Sequence, residues 1–103
     1  MSIGVEGDFQ IEDGVLTAYL GAGGEVTIPE EVTAVADYAF ANNVAVTKVI
    51  FTGETATIGA HAFDGCTGLT EVVFHEGLTG IGDYAFEGCT ALTSLTLPEG
   101  LET

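Results

Sequence analysis

The chain is almost without basic residues. Only one of its 103 residues is Lys or Arg, namely Lys48, whereas 16 are Asp or Glu, and the formal net charge at pH 7 is −15. A nucleic-acid partner needs several cationic side chains to neutralise its phosphates, so the composition excludes nucleic acid. An anionic membrane surface is disfavoured for the same reason, whereas cationic partners and divalent ions are both compatible with this charge.

Long apolar runs and a leader are also missing. No stretch approaches the roughly 18 consecutive apolar residues of a membrane-spanning helix, so we expect no membrane insertion. Residues 1–6 show neither the basic start nor the apolar segment of a signal peptide. The sequence is therefore either that of a leaderless protein or a piece of a longer precursor.

Motifs of catalysis are absent as well. The sequence contains no G-x-S-x-G, no phosphate-binding loop and no paired histidines. Because there is no nucleophile–base pair, we predict that the chain is not an enzyme. It has no C-x-x-C and no histidine at ligand spacing, so no cofactor and no metal site are predicted. A weak calcium site between rows of carboxylates is an alternative, although no loop spacing specifies one.

What the sequence does have is apolar residues, at 47% of the chain. Acidic chains that stay disordered are poor in such residues. We therefore expect a folded apolar interior under an acidic surface, and the length favours one domain.

The sequence repeats itself with a period of 23 residues, because Phe40, Phe63 and Phe86 fall in one column without any gap. Other columns run Val35, Ile58, Ile81; Val26, Val49, Val72, Leu95; and Ile28, Phe51, Phe74, Leu97. A fixed period of about 20 to 50 residues is typical of a solenoid. In a solenoid each unit buries its apolar side against its neighbours.

Each unit is interpreted as a strand, a bend, a short extended piece and a tight helical turn. Leu95 and Leu97 alternate as strand residues do. Asp83 is predicted to cap a short helical turn that carries Phe86 inward, and Gly88 to end it with a positive φ. Equivalent strands of successive units are expected to form a parallel sheet. Thr55 stands in an otherwise apolar column, where we expect looser packing.

The string "IGDYAFEGCTALTSLTLP" (81–98) closely resembles the BspA-type leucine-rich repeat of bacterial surface proteins. The resemblance covers residues 24–103, and the preceding segment is similar to the start of such proteins. It implies a right-handed leucine-rich repeat solenoid, with a parallel β-sheet and short helical turns. It also implies that the parent protein lies at the cell surface or is secreted.

Two regions are predicted. Residues 1–24 form an N-terminal β-hairpin cap and linker, and residues 25–103 form three full repeats and the start of a fourth. The chain stops at Thr103, soon after a strand begins the next coil. Since bare strand edges pair with other chains, either more repeats follow in the full protein or two copies form an end-to-end homodimer through the uncapped C-terminal repeat.

The cap is predicted from a two-residue hairpin turn at Asp13-Gly14. Pairing across that turn sets Ile11 opposite Leu16. It sets Phe9 opposite Ala18 on the same face, whereas the opposite face takes residues 15, 17 and 19.

Two further columns hold polar or reactive side chains. Cys66 and Cys89 are interpreted as buried thiols, and a disulfide between neighbouring coils is an alternative. His61 shares a column with Tyr38 and Tyr84, which predicts either a surface ladder of rings packed on one another or an adhesive stripe.

The outward positions of the strands are the candidate binding site for a protein partner. In a curved stack they line the concave side, where solenoids usually bind. The candidates are Thr27, Ile50, Val73 and Thr96, flanked by Lys48, Glu71 and Ser94. The competing interpretation of Ile50 and Val73 is simple β-propensity.

With the resemblance, these observations predict a non-enzymatic protein-interaction or adhesion module. The alternative is a structural capping segment of a longer array, without a ligand of its own.

Overall fold

The computed structural model describes residues 3–6 and 9–96, and this part of the chain is built from strands and turns without any helix. It therefore contains no helix that could span a membrane. The strands are β1 Ile3–Glu6, β2 Phe9–Glu12, β3 Val15–Tyr19, β4 Gly24–Ile28, β5 Ala34–Val35, β6 Val46–Phe51, β7 Thr57–Ile58, β8 Glu71–Val73, β9 Gly80–Ile81 and β10 Ser94–Thr96.

The strands form two sheets, and each of the three coils that begin with β4, β6 and β8 gives one strand to each sheet. The first sheet has the order β4-β6-β8-β10 and is parallel; the second has the order β1-β2-β3-β5-β7-β9 and is parallel from β3 onward. Val49 pairs with Val26 on one side and Val72 on the other, one period away in each direction. The predicted leucine-rich repeat solenoid is confirmed, and its columns are strand partners.

The core lies between the two sheets and is crossed by stacked aromatic rings. The ring centroids of Phe40 and Phe63 are 4.7 Å apart, and those of Phe63 and Phe86 are 5.1 Å apart. Phe63 is fully buried. A second stack joins Phe51 to Phe74 at 5.0 Å. The predicted phenylalanine column is thus a continuous interior stack that links one coil to the next.

Thr55 is buried in the apolar column that was expected to pack loosely. Its hydroxyl donates a hydrogen bond of 2.8 Å to the Val32 carbonyl, one coil earlier. Because the only polar atom of the side chain is bonded, burial leaves no unsatisfied group there.

The predicted helical turn is a run of β-turns. Ala39, Ala41 and Asn43 donate their N–H groups to carbonyls three residues earlier. The N–H groups between them donate to the next coil, as Phe40 does to Ala62 at 2.7 Å. A regular helix needs those N–H groups for its own i to i−4 bonds, so bonding between coils prevents it.

The prediction that Asp83 caps a helical turn is wrong for the same reason. Asp83 begins no helix, and its carbonyl accepts a 3.0 Å hydrogen bond from His61 of the preceding coil. Its column mate Asp37 accepts at Oδ1 from the Ala60 N–H of the following coil, at 2.8 Å. Both aspartates of this column therefore connect neighbouring coils, Asp83 through its backbone and Asp37 through its side chain.

Positive φ angles occur at two positions of each turn. Gly88 has φ 78°, as predicted, and its column mate Asn42 has φ 62°. The second position was not predicted: Tyr38, His61 and Tyr84 have φ angles of 64°, 58° and 62°. Bulky residues rarely adopt this conformation; here the rings stack and the N–H groups of Tyr38 and His61 bond to the next coil.

The N-terminal hairpin is confirmed at its turn, where Ile11 pairs with Leu16. A bulge between Gln10 and Ile11 then shifts the register, so Phe9 pairs with Tyr19 and not with Ala18 as predicted. β1 adds an unpredicted third antiparallel strand, and β3 joins the second sheet beside β5.

Tyr19 was predicted on the face opposite Phe9, and this is also wrong. Its ring lies between those of Phe9, at 5.6 Å, and Phe40, at 5.0 Å. The cap therefore continues the interior aromatic stack by one ring beyond the first coil.

Phe63→Ala should lower the free energy of unfolding by about 3–5 kcal/mol, as other core phenylalanine deletions do. The reason is that Phe63 is fully buried between Phe40 and Phe86. Urea denaturation measures this. The control Val44→Ala, at a side chain 64% exposed, should change little. A loss of less than about 1 kcal/mol for Phe63→Ala would contradict an interior stack.

Gly82→Ala should destabilise by about 1–3 kcal/mol, the range for overpacking. A Cβ at Gly82 would lie 2.5 Å from the Ala60 nitrogen of the preceding coil, whereas a Cβ at Gly80 would meet nothing within 4 Å. Gly80→Ala is therefore the matched control, expected to be neutral or slightly stabilising. Equal melting temperatures for the two variants would show that the coils are not in close backbone contact.

Candidate binding face

The outward face of the first sheet carries two parallel rows of side chains. Val26, Val49 and Val72 point into the core, so the residues before and after each of them point outward. We call the two rows the polar row and the central row. The polar row pairs Glu25, Lys48, Glu71 and Ser94 in order across the strands. The central row pairs Thr27, Ile50, Val73 and Thr96.

The structure places six of the seven predicted site residues on this one face, and the backbone of the seventh, Thr96, pairs with Val73. Glu25 was missed, although it lies one period before Lys48 and completes the polar row. Ile50 and Val73 are half-buried and are adjacent strand partners. The side chain of Thr96 lies outside the described part. The face is open, since the described residues enclose no pocket.

The polar row holds the one lysine of the chain. Lys48 Nζ lies 3.5 Å from Glu71 Oε1, and both side chains are about one-third exposed. An exposed pair of this kind contributes on the order of 0.2–1 kcal/mol. Between Phe9 and Leu95, the other acid with a basic partner is Asp64, which lies beside His61.

The predicted aromatic ladder is present on the surface of the turns. The His61 ring lies between Tyr38, at 4.9 Å, and Tyr84, at 5.2 Å, and the two tyrosines are 61% and 62% exposed. The rings pack face to face on one another, so mainly their edges meet solvent. The ladder thus stacks the coils on the outside as the phenylalanines do inside.

One cluster could offer ligands to a cation. His61, Asp64 and Glu87 each present one ligand atom, and these atoms lie within 4.8 Å of one another. The 23-residue period places Glu87 in the column of Asp64, but the approach of His61 to these two carboxylates was not predicted. His61 Nδ1 and Asp64 Oδ2 are 2.7 Å apart and hydrogen-bonded, which explains their closeness without an ion.

The two cysteines are free thiols that bond to the preceding coil. The fully buried Cys66 donates from Sγ to the Phe40 carbonyl at 3.0 Å, and the half-buried Cys89 donates to the Phe63 carbonyl at 3.1 Å. Burial raises the pKa of the Cys66 thiol to about 11 and also raises the pKa of Cys89. The interpretation as a buried thiol is confirmed for Cys66.

Two sheets, a 23-residue spacing and turns between the strands define a leucine-rich repeat protein. Residues 22–103 match the family model described as "BspA type Leucine rich repeat region (6 copies)". The chain belongs to the BspA-type leucine-rich repeat family.

Solved structures of bacterial proteins resemble the fold. A leucine-rich repeat protein of T. pallidum superimposes with a TM-score of 0.83, is 32% identical, and is matched over 98% of this chain and 49% of its own. A leucine-rich cell surface protein of Faecalibacterium prausnitzii superimposes with a TM-score of 0.77 at 27% identity, over 91% of this chain and 30% of its own. The chain thus spans half or less of the length of these two proteins. No curated protein matches it.

Raising the pH from about 9 to 11 should lower the free energy of unfolding through Cys66. Its pKa rises from the ordinary 9.0 to about 11 on folding, so the contribution is complete below 9 and is lost as the pH passes through 11. Because only the parent carries this thiol, the measurement is the difference between the parent and Cys66→Ala in the slope of the free energy of unfolding against pH. Equal slopes would contradict a thiol that is hard to ionise.

Proposed function

We propose that this chain is a non-enzymatic protein-interaction or adhesion module of a bacterial surface or secreted protein. It binds a protein partner through the concave, outward face of the first sheet. The observation that carries the proposal is the pair of aliphatic side chains, Ile50 and Val73, which lie next to one another outside the core.

The central row provides the apolar centre that an interface needs. Recognition surfaces combine a buried apolar centre with a polar rim. Here Ile50 and Val73 form the centre, and Lys48 and Glu71, two residues earlier on the same strands, form one rim. β-Propensity explains why each residue suits a strand, but the adjacent partner of Ile50 on the other side is the exposed Thr27, so the sheet itself does not require an aliphatic row.

Family membership supports the proposed location, and so does the cell surface protein of F. prausnitzii, whose name states where that protein lies. A non-enzymatic role is supported by the state of the thiols. Cys66 is buried with a raised pKa, so it is a poor nucleophile at neutral pH.

A structural role is the second candidate, in which the chain is a capping segment of a longer repeat array or multidomain protein and has no ligand of its own. Two observations favour it. The ring of Tyr19 covers Phe40 at the first coil, whereas Leu95 on β10 is 39% exposed at the other end of the stack. An exposed strand at that end could receive another coil or, in an end-to-end homodimer, a second copy. The next two leucines, Leu97 and Leu101, lie outside the described residues.

Ile50→Asp or Val73→Asp should abolish saturable binding of a partner without unfolding the chain. A carboxylate in the central row would be desolvated in the interface without a partner charge. Binding is measured by interferometry against surface-exposed proteins or peptides, and folding by the melting temperature.

Val44→Asp is the control, since it makes the same change from an aliphatic residue to aspartate, but at an exposed position in the turn that precedes β6. The proposal requires that this variant bind as the parent does. If all three variants bind equally, the central row is not the binding surface. If the parent binds no protein at all, the structural role is favoured.

A further inference from the structure

The polar row carries more negative than positive charge. Lys48 is the strand partner of Glu25 on one side and of Glu71 on the other, so one lysine serves two glutamates. It approaches Glu71, at 3.5 Å, and within the part of the chain that the structure describes Glu25 has no ion-pair partner. Two glutamates and one lysine leave one negative charge on the row, beside an aliphatic pair.

The two rows have the spacing of an extended chain. Glu25 and Thr27, like Glu71 and Val73, are two residues apart on the same strand, which places them about 6.6 Å apart on the same face. An extended segment that lies along the strands also presents its side chains at i and i+2 to the sheet. One of these two side chains would meet the polar row and the other would meet the central row.

We propose that the partner of this face is an extended, cationic protein segment in which Lys or Arg alternates with an aliphatic residue at i and i+2. This inference rests on the proposed function and adds the chemistry of the partner. The cation pairs with Glu25 or with Glu71, and the aliphatic side chain covers Ile50 and Val73. Burying both rows together gives an interface with an apolar centre and paired charges at its edge.

The charge of the whole chain supports this choice of occupant. At a net charge of −15 the surface attracts a cationic segment over long range and repels an acidic one. A second copy of this chain fits the face poorly, since it brings the same charge and has only Lys48 to offer. Opposite charge on the partner therefore raises its association rate and selects it from neutral segments.

Two synthetic peptides of equal length test the inference. In one, Lys alternates with Val on one face of the extended chain; in the other, Glu replaces each Lys. Fluorescence anisotropy at about 0.15 M salt, where exposed charges still interact over about 8 Å, should show binding of the Lys peptide and none of the Glu peptide. Variants that remove or reverse one charge on the face should change the dissociation constant of the Lys peptide on the order of threefold to tenfold, which is the range for exposed ion pairs and their reversal.

Three variants locate the charge effect. Glu25→Lys should weaken binding of the Lys peptide by about tenfold, because it replaces an attraction by a repulsion. Glu76→Lys, in the exposed turn after β8, makes the same change in net charge away from the face and should weaken it by less than about twofold. Lys48→Thr should strengthen it by about threefold, because Glu71 is then free to pair with the peptide.

The results distinguish failure of the cationic-partner inference from failure of the proposed function. Equal weakening by Glu25→Lys and Glu76→Lys would mean that net charge alone attracts the peptide, and would overturn the inference, as would no binding of the Lys peptide. If the Glu peptide binds and Ile50→Thr abolishes that binding, the proposed function stands and the cationic partner is wrong. If the Lys peptide binds and neither Glu25→Lys nor Ile50→Thr reduces its binding, both fail. Melting temperatures show that each variant is folded.

Discussion

The structure depends on the fit between successive coils. Each coil contacts the next through backbone hydrogen bonds, through rings stacked at 4.7 to 5.1 Å along the phenylalanine column, and through threonine and cysteine side chains that donate to carbonyls of the coil before. The approach is so close that at Gly82 even one added carbon would collide with the backbone of the preceding coil. A contact of this kind repeats only if every coil has the same length, which is why the 23-residue period is kept without a gap.

The same fit explains features that look unfavourable in isolation. Tyr38, His61 and Tyr84 adopt positive φ angles, a conformation that costs on the order of 1–3 kcal/mol in a bulky residue. Each is held by a stacked neighbour, and Tyr38 and His61 also donate their N–H groups to the following coil. Local strain is thus balanced by contacts between coils, so a coil removed from the stack is not expected to keep its turn.

Inward columns were predicted well because burial limits them to apolar residues of similar size. Ungapped alignment of Val26, Val49 and Val72 gave the strand register directly, and the Asn42 and Gly88 column gave the positive φ. The cap was predicted less well, since Leu16 pairs beside Val35 at a spacing outside the period and a bulge at Gln10 moves Phe9 opposite Tyr19. The turns were misread as helical because spacing alone cannot show whether an N–H group bonds within its turn or to the next coil. At the candidate site, the sequence located both rows but not the pairing of Lys48 with Glu71, which depends on side-chain conformation.

The candidate binding face differs from the core in what its columns allow. Across the strands, the inward column runs Val26, Val49, Val72 and Leu95. The polar row beside it runs Glu25, Lys48, Glu71 and Ser94. Four residues of such different charge occupy equivalent backbone positions in one sheet, so the fold itself sets no requirement there. Register nevertheless holds these side chains at fixed spacing, because the strands beneath them are locked by the core. The repeat therefore supplies a rigid grid whose geometry comes from the inward residues, and any partner must recognise it through the chemistry of the outward ones.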